Sequence, residues 1–214
     1  MEIFLDTADV NEIRRYKDFI DGVTTNPTLM SKVSGGDYFP VAKEICSIVS
    51  GPVSIEVTSQ SYDDMLAEAK KIATISNHVC VKLPCTFDGL GVCRELSKQG
   101  IQTNMTLCFS PLQALMAAKC GATYVSPFIG RLDDIGQDGV NLIEDIVSIF
   151  GEYGYETRVL AASVRNLQHL VSVALLGVDA VTVPAKILNQ CFEHPLTTKG
   201  LEIFHKDWDN RNKK

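Results

Sequence analysis

The sequence contains no run of about 18 consecutive apolar residues, the length needed to cross a membrane as a helix. Its first residues, Met-Glu-Ile-Phe-Leu-Asp, are acidic, whereas a secretory signal peptide begins with basic residues. Basic residues are also in the minority, since 20 Lys plus Arg stand against 26 Asp plus Glu. We therefore expect a cytoplasmic protein that binds neither membranes nor nucleic acid, although a local basic cluster could still hold a small anion.

The cysteines and histidines also lack metal-binding patterns. Seven cysteines are present, but they form no C-x-x-C pair, and no histidine lies at zinc-ligand spacing from any of them. An odd number of cysteines scattered through apolar segments predicts reduced, buried thiols. The sequence therefore predicts no metal site.

Short β-rich runs alternate with helical patterns from one end of the chain to the other. Strands are predicted at 2–6, 22–26, 53–57, 78–83, 101–107, 123–128, 157–162 and 179–184, and helices lie between them, for example at 61–77, 138–150 and 164–176. This alternation predicts a parallel sheet, because parallel neighbours need a crossover connection. Eight such units in 214 residues fit a single (β/α)8 TIM barrel domain over 1–214. A doubly wound open sheet is the alternative, but its Gly-rich turn after the first strand is missing.

Polar side chains are predicted to enter the barrel near the carboxyl ends of six strands. Side chains of a strand alternate between its two faces. Lys82 and Cys80 would thus point inward, while Val79, Val81 and Leu83 face the helices. The same alternation directs six further polar side chains inward: Asp6, Asn26, Glu56, Asn104, Thr106 and Ser126.

An inward lysine at this end of a barrel has two interpretations. It could form a structural ion pair with Glu56 or Asp6, although apolar residues often replace such pairs at little cost. Active sites of this fold lie at the carboxyl ends of the strands, and burial disfavours the charged form of a lysine. The free amine of Lys82 could then attack a carbonyl, with Asp6 and Glu56 transferring protons.

Two neighbouring loops carry residues suited to an anion. Arg131 follows the sixth predicted strand, and Ser163 and Arg165 follow the seventh. Guanidinium groups match phosphate geometry, and the start of a helix after Ser163 would add backbone N–H donors. Either arginine alone could be an ordinary surface residue, but their joint position favours an anion site.

The motifs LDTAD, GVTTNPTL, VKLP, TNMTL, SPFIGRLDD and AASVR, taken in order, resemble those of the transaldolase family over essentially the whole chain. The length is similar to that of the small bacterial transaldolases, which are related to the fructose-6-phosphate aldolases. The resemblance implies an enzyme without a cofactor, in which Lys82 forms a Schiff base with the C2 carbonyl of a ketose phosphate. Asp6 would take the proton of the C4 hydroxyl, and Glu56 and Thr106 would handle protons through a water molecule.

The same resemblance implies how the substrate is held. Asn26 and Asn104 would bind the hydroxyls of a dihydroxyacetone unit, with Ser126 close by. The phosphate would be held by Arg131, Ser163 and Arg165.

Two positions separate the branches of this family. The fructose-6-phosphate aldolases carry Gln at the position of Glu56 and Tyr at that of Phe128. A phenol there can help water to protonate the intermediate, whereas an apolar ring protects it until an aldehyde arrives. We therefore expect sedoheptulose 7-phosphate and glyceraldehyde 3-phosphate to be converted to erythrose 4-phosphate and fructose 6-phosphate in the non-oxidative pentose phosphate pathway.

Other functions stay open at this point. The protein could cleave fructose 6-phosphate without an acceptor, or transfer the unit on a related anionic sugar such as a sulfonate. A sugar-phosphate-binding barrel without catalysis is disfavoured, because the lysine and both acids are present.

The C-terminal segment 197–208 is predicted to be an amphipathic helix with Leu201, Phe204 and Trp208 on one face. This face could pack on the barrel of its own chain. The family resemblance instead implies that the helix is exchanged with a neighbouring subunit of a homo-oligomer, in ring-like decamers.

Overall fold

The computed structural model describes residues 1–211 and contains eight parallel strands joined into a closed barrel. The strands are β1 (Glu2–Asp6), β2 (Gly22–Thr24), β3 (Val53–Glu56), β4 (Val79–Pro84), β5 (Thr103–Cys108), β6 (Tyr124–Pro127), β7 (Arg158–Ala161) and β8 (Ala180–Val183). They pair in sequence order, and β1 closes the barrel by pairing with β8. The predicted (β/α)8 barrel is confirmed.

Helices connect the strands and surround the barrel. They are α1 (Val10–Tyr16), α2 (Pro27–Ser34), α3 (Phe39–Ile48), α4 (Tyr62–Ala73), α5 (Phe87–Lys98), α6 (Pro111–Lys119), α7 (Ile129–Asp133), α8 (Gly139–Tyr153), α9 (Leu167–Leu175), α10 (Ala185–Gln190) and α11 (Pro195–Arg211). Several begin at a side-chain cap: Ser61 accepts from the Asp64 amide, and Ser110 accepts from the Gln113 amide. None of the helices within residues 1–211 combines the length and the hydrophobicity needed to span a bilayer.

Alternation along the strands separates two hydrophobic clusters. Even-numbered residues fill the barrel interior, where Phe4, Cys80, Tyr124, Leu160 and Ala180 form one cluster. Odd-numbered strand residues, Leu5, Val81 and Val181 among them, join the larger cluster between the barrel and the helices. The inner cluster lies toward the amino-terminal part of the barrel, and the predicted inward residues that line a cavity lie at its carboxyl-terminal end.

The strand β2 ends earlier than predicted. Asn26 was expected inside a strand, but β2 stops at Thr24 and Asn26 becomes the N-cap of α2. Its Oδ1 accepts a hydrogen bond of 2.9 Å from the Leu29 amide. Pro27 explains the change, because proline favours the first turn of a helix and keeps the preceding residue extended.

The strand β5 contains an irregularity that the alternation rule did not predict. Leu107 adopts a positive φ of 55°, and the pairing register with β6 shifts between Met105 and Cys108. Positive φ is unfavourable for a leucine, and a bulge of this kind changes the face to which the following residues point. As a result Cys108 packs in the outer cluster, although its number is even.

The tail forms a helix, as predicted, but α11 is longer than 197–208, and none of its side chains is buried. Leu201, Phe204 and Trp208 are 53%, 71% and 60% exposed. Their apolar face therefore does not pack on the barrel of the same chain.

All seven cysteines lie within residues 1–211 and are free. Five of them are buried, Cys120 is partly buried and Cys191 is exposed. Burial raises the pKa of Cys46 and of Cys93 to about 11, so both are held as unreactive thiols. This agrees with the predicted reduced, buried cysteines.

Candidate active site at the carboxyl ends of the strands

A cavity of about 510 Å³ opens at the carboxyl ends of the strands. Ten of the eleven predicted site residues line it: Asp6, Asn26, Glu56, Lys82, Thr106, Ser126, Phe128, Arg131, Ser163 and Arg165. The closed barrel brings them together from loops and strands up to 159 positions apart (Asp6 to Arg165). Within residues 1–211, no three His, Cys, Asp or Glu side chains are grouped as metal ligands.

Lys82 lies on the cavity wall and is 6% exposed. Its Nζ is 2.9 Å from Glu56 Oε2 and donates a hydrogen bond of 2.9 Å to the Thr25 carbonyl. The register of β3 and β4 places Glu56 directly beside Lys82. The ion pair anticipated as a structural alternative is thus present, but it borders an open cavity and not a sealed core.

Asp6 faces the same cavity from the end of β1. Its Oδ1 accepts a hydrogen bond of 2.9 Å from the Thr24 hydroxyl, which is 2.6 Å from the Thr182 hydroxyl. Burial raises the pKa of Asp6 above its usual value, although the charge of Lys82 and the bond from Thr24 act in the opposite direction. A carboxyl with a raised pKa is suited to accept a proton during a reaction.

Thr106 carries a buried polar atom with no protein partner. Its Oγ1 is buried and forms no hydrogen bond with any group of residues 1–211. Buried hydroxyls without a partner are rare, because losing the bonds to water is costly. Since Thr106 lines the cavity, its hydroxyl is placed to bond a molecule held there.

Asn104 is the one predicted site residue that does not line the cavity. It is fully buried, its Nδ2 donates to Ser54 Oγ at 3.0 Å, and its Oδ1 accepts from Ser126 Oγ at 2.7 Å. Asn104 therefore lies one layer below the cavity and orients the hydroxyl of Ser126.

The two arginines line the cavity from the segments that follow β6 and β7. The guanidinium carbon of Arg131 lies 4.9 Å from the centre of the Phe128 ring. Phe128 packs edge-on against Phe109, with 5.5 Å between the centres of the two rings. Arg165 approaches from the β7–α9 loop. The loops can approach closely because Gly130 lacks a side chain: a Cβ there would lie 2.4 Å from the Ser163 carbonyl oxygen.

The helix after β7 begins later than the sequence predicted. Asn166 caps it, so α9 starts at Leu167, and the cavity lining on this loop ends at Arg165. The expected N–H donors of a helix start do not face the cavity. Ser163 instead adopts a positive φ of 60°, which sets the direction of the loop.

The sequence analysis missed several residues of this site. Thr24 and Thr182 support Asp6, and both occupy even positions, so the alternation rule could have found them. The Thr25 carbonyl holds Lys82, and Leu107 lines the cavity. No sequence signal points to these two, because one acts through its backbone and the other depends on the bulge in β5.

Comparison with known proteins shows the family of this chain. The Transaldolase/Fructose-6-phosphate aldolase family matches residues 3–214. The chain belongs to this family. A "Probable transaldolase" of Rhizobium meliloti (strain 1021) is 55% identical over 216 residues, covering 100% of this chain and 99% of that protein. A "Probable transaldolase" of Caulobacter sp. (strain K31) is 54% identical, with 97% and 96% covered.

Structural similarity extends to more distant barrels. A crystal structure described as "a putative fructose-1,6-biphosphate aldolase from Coccidioides immitis" superposes with a TM-score of 0.58 at 14% identity, covering 88% of this chain and 75% of that one. At this identity the similarity supports the fold alone. Membership of the transaldolase/fructose-6-phosphate aldolase family, in contrast, establishes that the protein is an enzyme.

Proposed function

We propose that the protein is a transaldolase that transfers a dihydroxyacetone unit from a ketose phosphate to an aldose phosphate through a Schiff base on Lys82. The donor would be sedoheptulose 7-phosphate or fructose 6-phosphate, within the non-oxidative pentose phosphate pathway. The observation that carries the proposal is the buried amine of Lys82 on a cavity wall, 2.9 Å from the carboxylate of Glu56. The naming of full-length relatives at 55% identity supports it.

The first half of the proposed reaction forms the Schiff base. Glu56 takes a proton from Lys82, and the amine attacks C2 of the ketose phosphate to give a carbinolamine. Its hydroxyl leaves as water after receiving a proton from Glu56, through a water molecule bonded to Thr106. The unsatisfied Oγ1 of Thr106 supports this role.

The second half breaks a carbon–carbon bond. Asp6 takes the proton of the C4 hydroxyl, the C3–C4 electron pair moves into the iminium, and an aldose phosphate leaves. The raised pKa of Asp6 supports a group that holds this proton until the acceptor aldehyde needs it. Addition of the bound three-carbon unit to that aldehyde then reverses these steps.

Substrate binding would use both sides of the cavity. Asn26 uses its Oδ1 to cap α2, so its Nδ2 can donate to a hydroxyl of the dihydroxyacetone unit. Ser126, oriented by Asn104, would bind a second hydroxyl. Arg131, Ser163 and Arg165 would hold the phosphate.

Cleavage of fructose 6-phosphate without an acceptor is the second candidate function within this family. Phe128 favours transfer, because its ring lines the same cavity as Lys82 and carries no hydroxyl. An apolar cavity wall that excludes water would protect the enamine from protonation.

The exposed apolar face of α11 supports the proposal that the protein is a homo-oligomer, a decamer by family resemblance. Burying such a face against neighbouring subunits would remove it from water. We further propose a cytoplasmic location, which the free thiols support.

Trapping the intermediate tests the proposed chemistry. Borohydride reduction with fructose 6-phosphate, followed by peptide mass mapping, should give a three-carbon adduct on the peptide containing Lys82. Lys82→Met should abolish the adduct, whereas Lys186→Met, on α10, should retain it. An adduct on another lysine, or none in the wild type, would overturn the mechanism.

A further inference from the structure

We infer that Asp133, Asp134 and His169 form a clamp that fixes both the backbone and the guanidinium of Arg165 before a substrate arrives. The inference rests on the proposed function, in which Arg165 binds the substrate phosphate. The three clamp residues lie outside the cavity lining, and they act through Arg165 as positioning residues.

The guanidinium is held by Asp134, which follows α7. Arg165 Nη2 lies 2.9 Å from Asp134 Oδ2, and both side chains are about half exposed. The arginine stem crosses Gly130, where an added Cβ would lie 2.5 Å from Arg165 Cγ and Nε. The side chain is therefore confined between a glycine surface and an acid. Since the ion pair uses Nη2, the other nitrogen atoms can meet a phosphate.

The backbone is held by His169, which is 13% exposed in the first turn of α9. Its Nδ1 accepts a hydrogen bond of 3.3 Å from the Arg165 amide, and its Nε2 lies 2.9 Å from Asp133 Oδ2. These partners require the ring proton on Nε2, so that Nδ1 can accept. The other oxygen of Asp133 accepts a bond of 3.0 Å from the Gly139 amide at the start of α8.

Three elements thus converge on one arginine, because α7, α8 and α9 each contribute a contact to the clamp. The loop they hold needs such support, since Ser163 has a positive φ that is unfavourable for serine. An exposed ion pair such as that of Asp134 and Arg165 contributes little to folding stability. The main effect of this ion pair is to fix the direction in which the Arg165 guanidinium points. A group that is already in position binds a ligand with less loss of conformational entropy.

The experiment measures phosphate preference, defined as kcat/KM with glyceraldehyde 3-phosphate divided by kcat/KM with unphosphorylated glyceraldehyde as acceptor. Asp134→Asn and His169→Leu should each lower this preference by roughly threefold to tenfold, the range for losing the prior ordering of one long side chain at a binding site. The loss should appear in KM for the phosphorylated acceptor, while turnover of glyceraldehyde stays within twofold.

Two further variants separate positioning from general damage. His169→Asn keeps an acceptor near the Nδ1 position and should restore part of the preference that His169→Leu loses. Glu144→Gln removes an exposed acid from α8 and should leave the preference unchanged. Asp134 is well exposed, so its variant keeps the test valid if His169→Leu fails to fold.

Arg165→Gln separates the clamp from the phosphate site itself. If Arg165→Gln loses the preference while the Asp134 and His169 variants keep it, the clamp is overturned and the phosphate site stands. If Arg165→Gln keeps the full preference, the proposed phosphate site fails, and the clamp fails with it. A parallel loss with both acceptors in the clamp variants would show a structural role and also overturn the inference.

Discussion

Lys82 and Glu56 show what a single residue's position on a strand can predict. Their inward direction followed from alternation, because β3 and β4 are regular up to these residues. The hydrogen bond from Lys82 to the Thr25 carbonyl could not be predicted, since it depends on a backbone atom that follows the last residue of β2. Residue type and parity thus predicted that Lys82 and Glu56 point into the barrel, whereas the contact with the Thr25 carbonyl depends on the backbone.

Replacing Asp6 should separate activity from stability. Asp6→Asn should lower turnover by roughly 10²- to 10⁴-fold, the usual contribution of a general acid–base group. Because burial raises the pKa of Asp6, the folded state favours the protonated acid. The wild type therefore loses stability as the pH rises from the pKa of an unfolded Asp through the higher pKa of Asp6 in the folded state. The variant should therefore unfold at a higher temperature than the wild type at pH 7, measured by calorimetry.

The pH dependence supplies the control for this measurement. The stability advantage of Asp6→Asn should shrink toward pH 3, where the carboxyl is protonated in both states. An advantage that stays constant with pH would show that burial of the charge is not its cause.

Replacing Phe128 should change the fate of the enamine in the proposed mechanism. Phe128→Tyr should raise the ratio of acceptor-free cleavage to transfer by roughly tenfold to a hundredfold, because a phenol can donate a proton through water. Phe109→Tyr is the matched control, since Phe109 packs against Phe128 but does not line the cavity. Equal ratios in both variants would contradict the role given to Phe128. Coupled assays of fructose 6-phosphate with and without erythrose 4-phosphate give the ratio.

At the scale of elements, predictions were accurate where the chain is regular and failed where side chains interrupt it. The eight strands lie close to their predicted positions, because each is a short β-rich run between helical patterns. The boundaries of β2 and α9 moved because Asn26 and Asn166 cap helices. The bulge at Leu107 has no local signal, since leucine is the wrong residue for a positive φ.

The β3–α4 loop beside the active site is held by one carboxylate. Glu68 accepts hydrogen bonds from the amides of Thr58 and Ser59, from the Thr58 hydroxyl and from the hydroxyl of Tyr38. Burial by itself would raise the pKa of Glu68, but the bonds from Ser59 and Thr58 outweigh it and lower the pKa below its usual value.

Glu68→Gln should therefore destabilise the protein by about 1–2 kcal/mol at neutral pH, the loss expected for charge-assisted hydrogen bonds. Because the pKa of Glu68 is lower in the folded state, its carboxylate stabilises that state at pH values above the pKa of an unfolded Glu. This stabilisation disappears as the pH falls through the pKa of Glu68 in the folded protein. Urea unfolding at pH 7 and at pH 3 should show the difference between the two proteins shrinking in acid. Asp63→Asn, a change to another exposed acid of the same helix, supplies the comparison.

At the scale of the whole molecule, the eight β/α units and the order of the motifs identified the barrel and the family. The sequence also showed the apolar face of α11, but not whether it packs on its own barrel. That depends on the direction in which the chain leaves α10, which no pattern of residue types specifies. The structure leaves this face exposed, which is consistent with the proposed homo-oligomer.

Deletion of residues 195–214 should reduce the number of subunits in the proposed homo-oligomer, because it removes the helix proposed to bind a neighbouring subunit. Light scattering coupled to size exclusion gives the mass of the particle. Lys206→Gln changes the charged part of the same helix and should leave the mass unchanged. A truncated protein whose particle contains as many subunits as that of the full chain would refute exchange of the helix.

The buried side chains of the inner cluster, among them Phe4, Tyr124 and Leu160, block the barrel interior on the amino-terminal side of the cavity. In the proposed reaction every sugar must then enter and leave through the carboxyl-terminal opening, so the first product has to leave before the second aldehyde can bind. Double-reciprocal plots of the initial rates with two substrates should therefore give parallel lines. Parallel lines are expected of a double-displacement enzyme, which in the proposed mechanism retains a three-carbon unit between its two half-reactions.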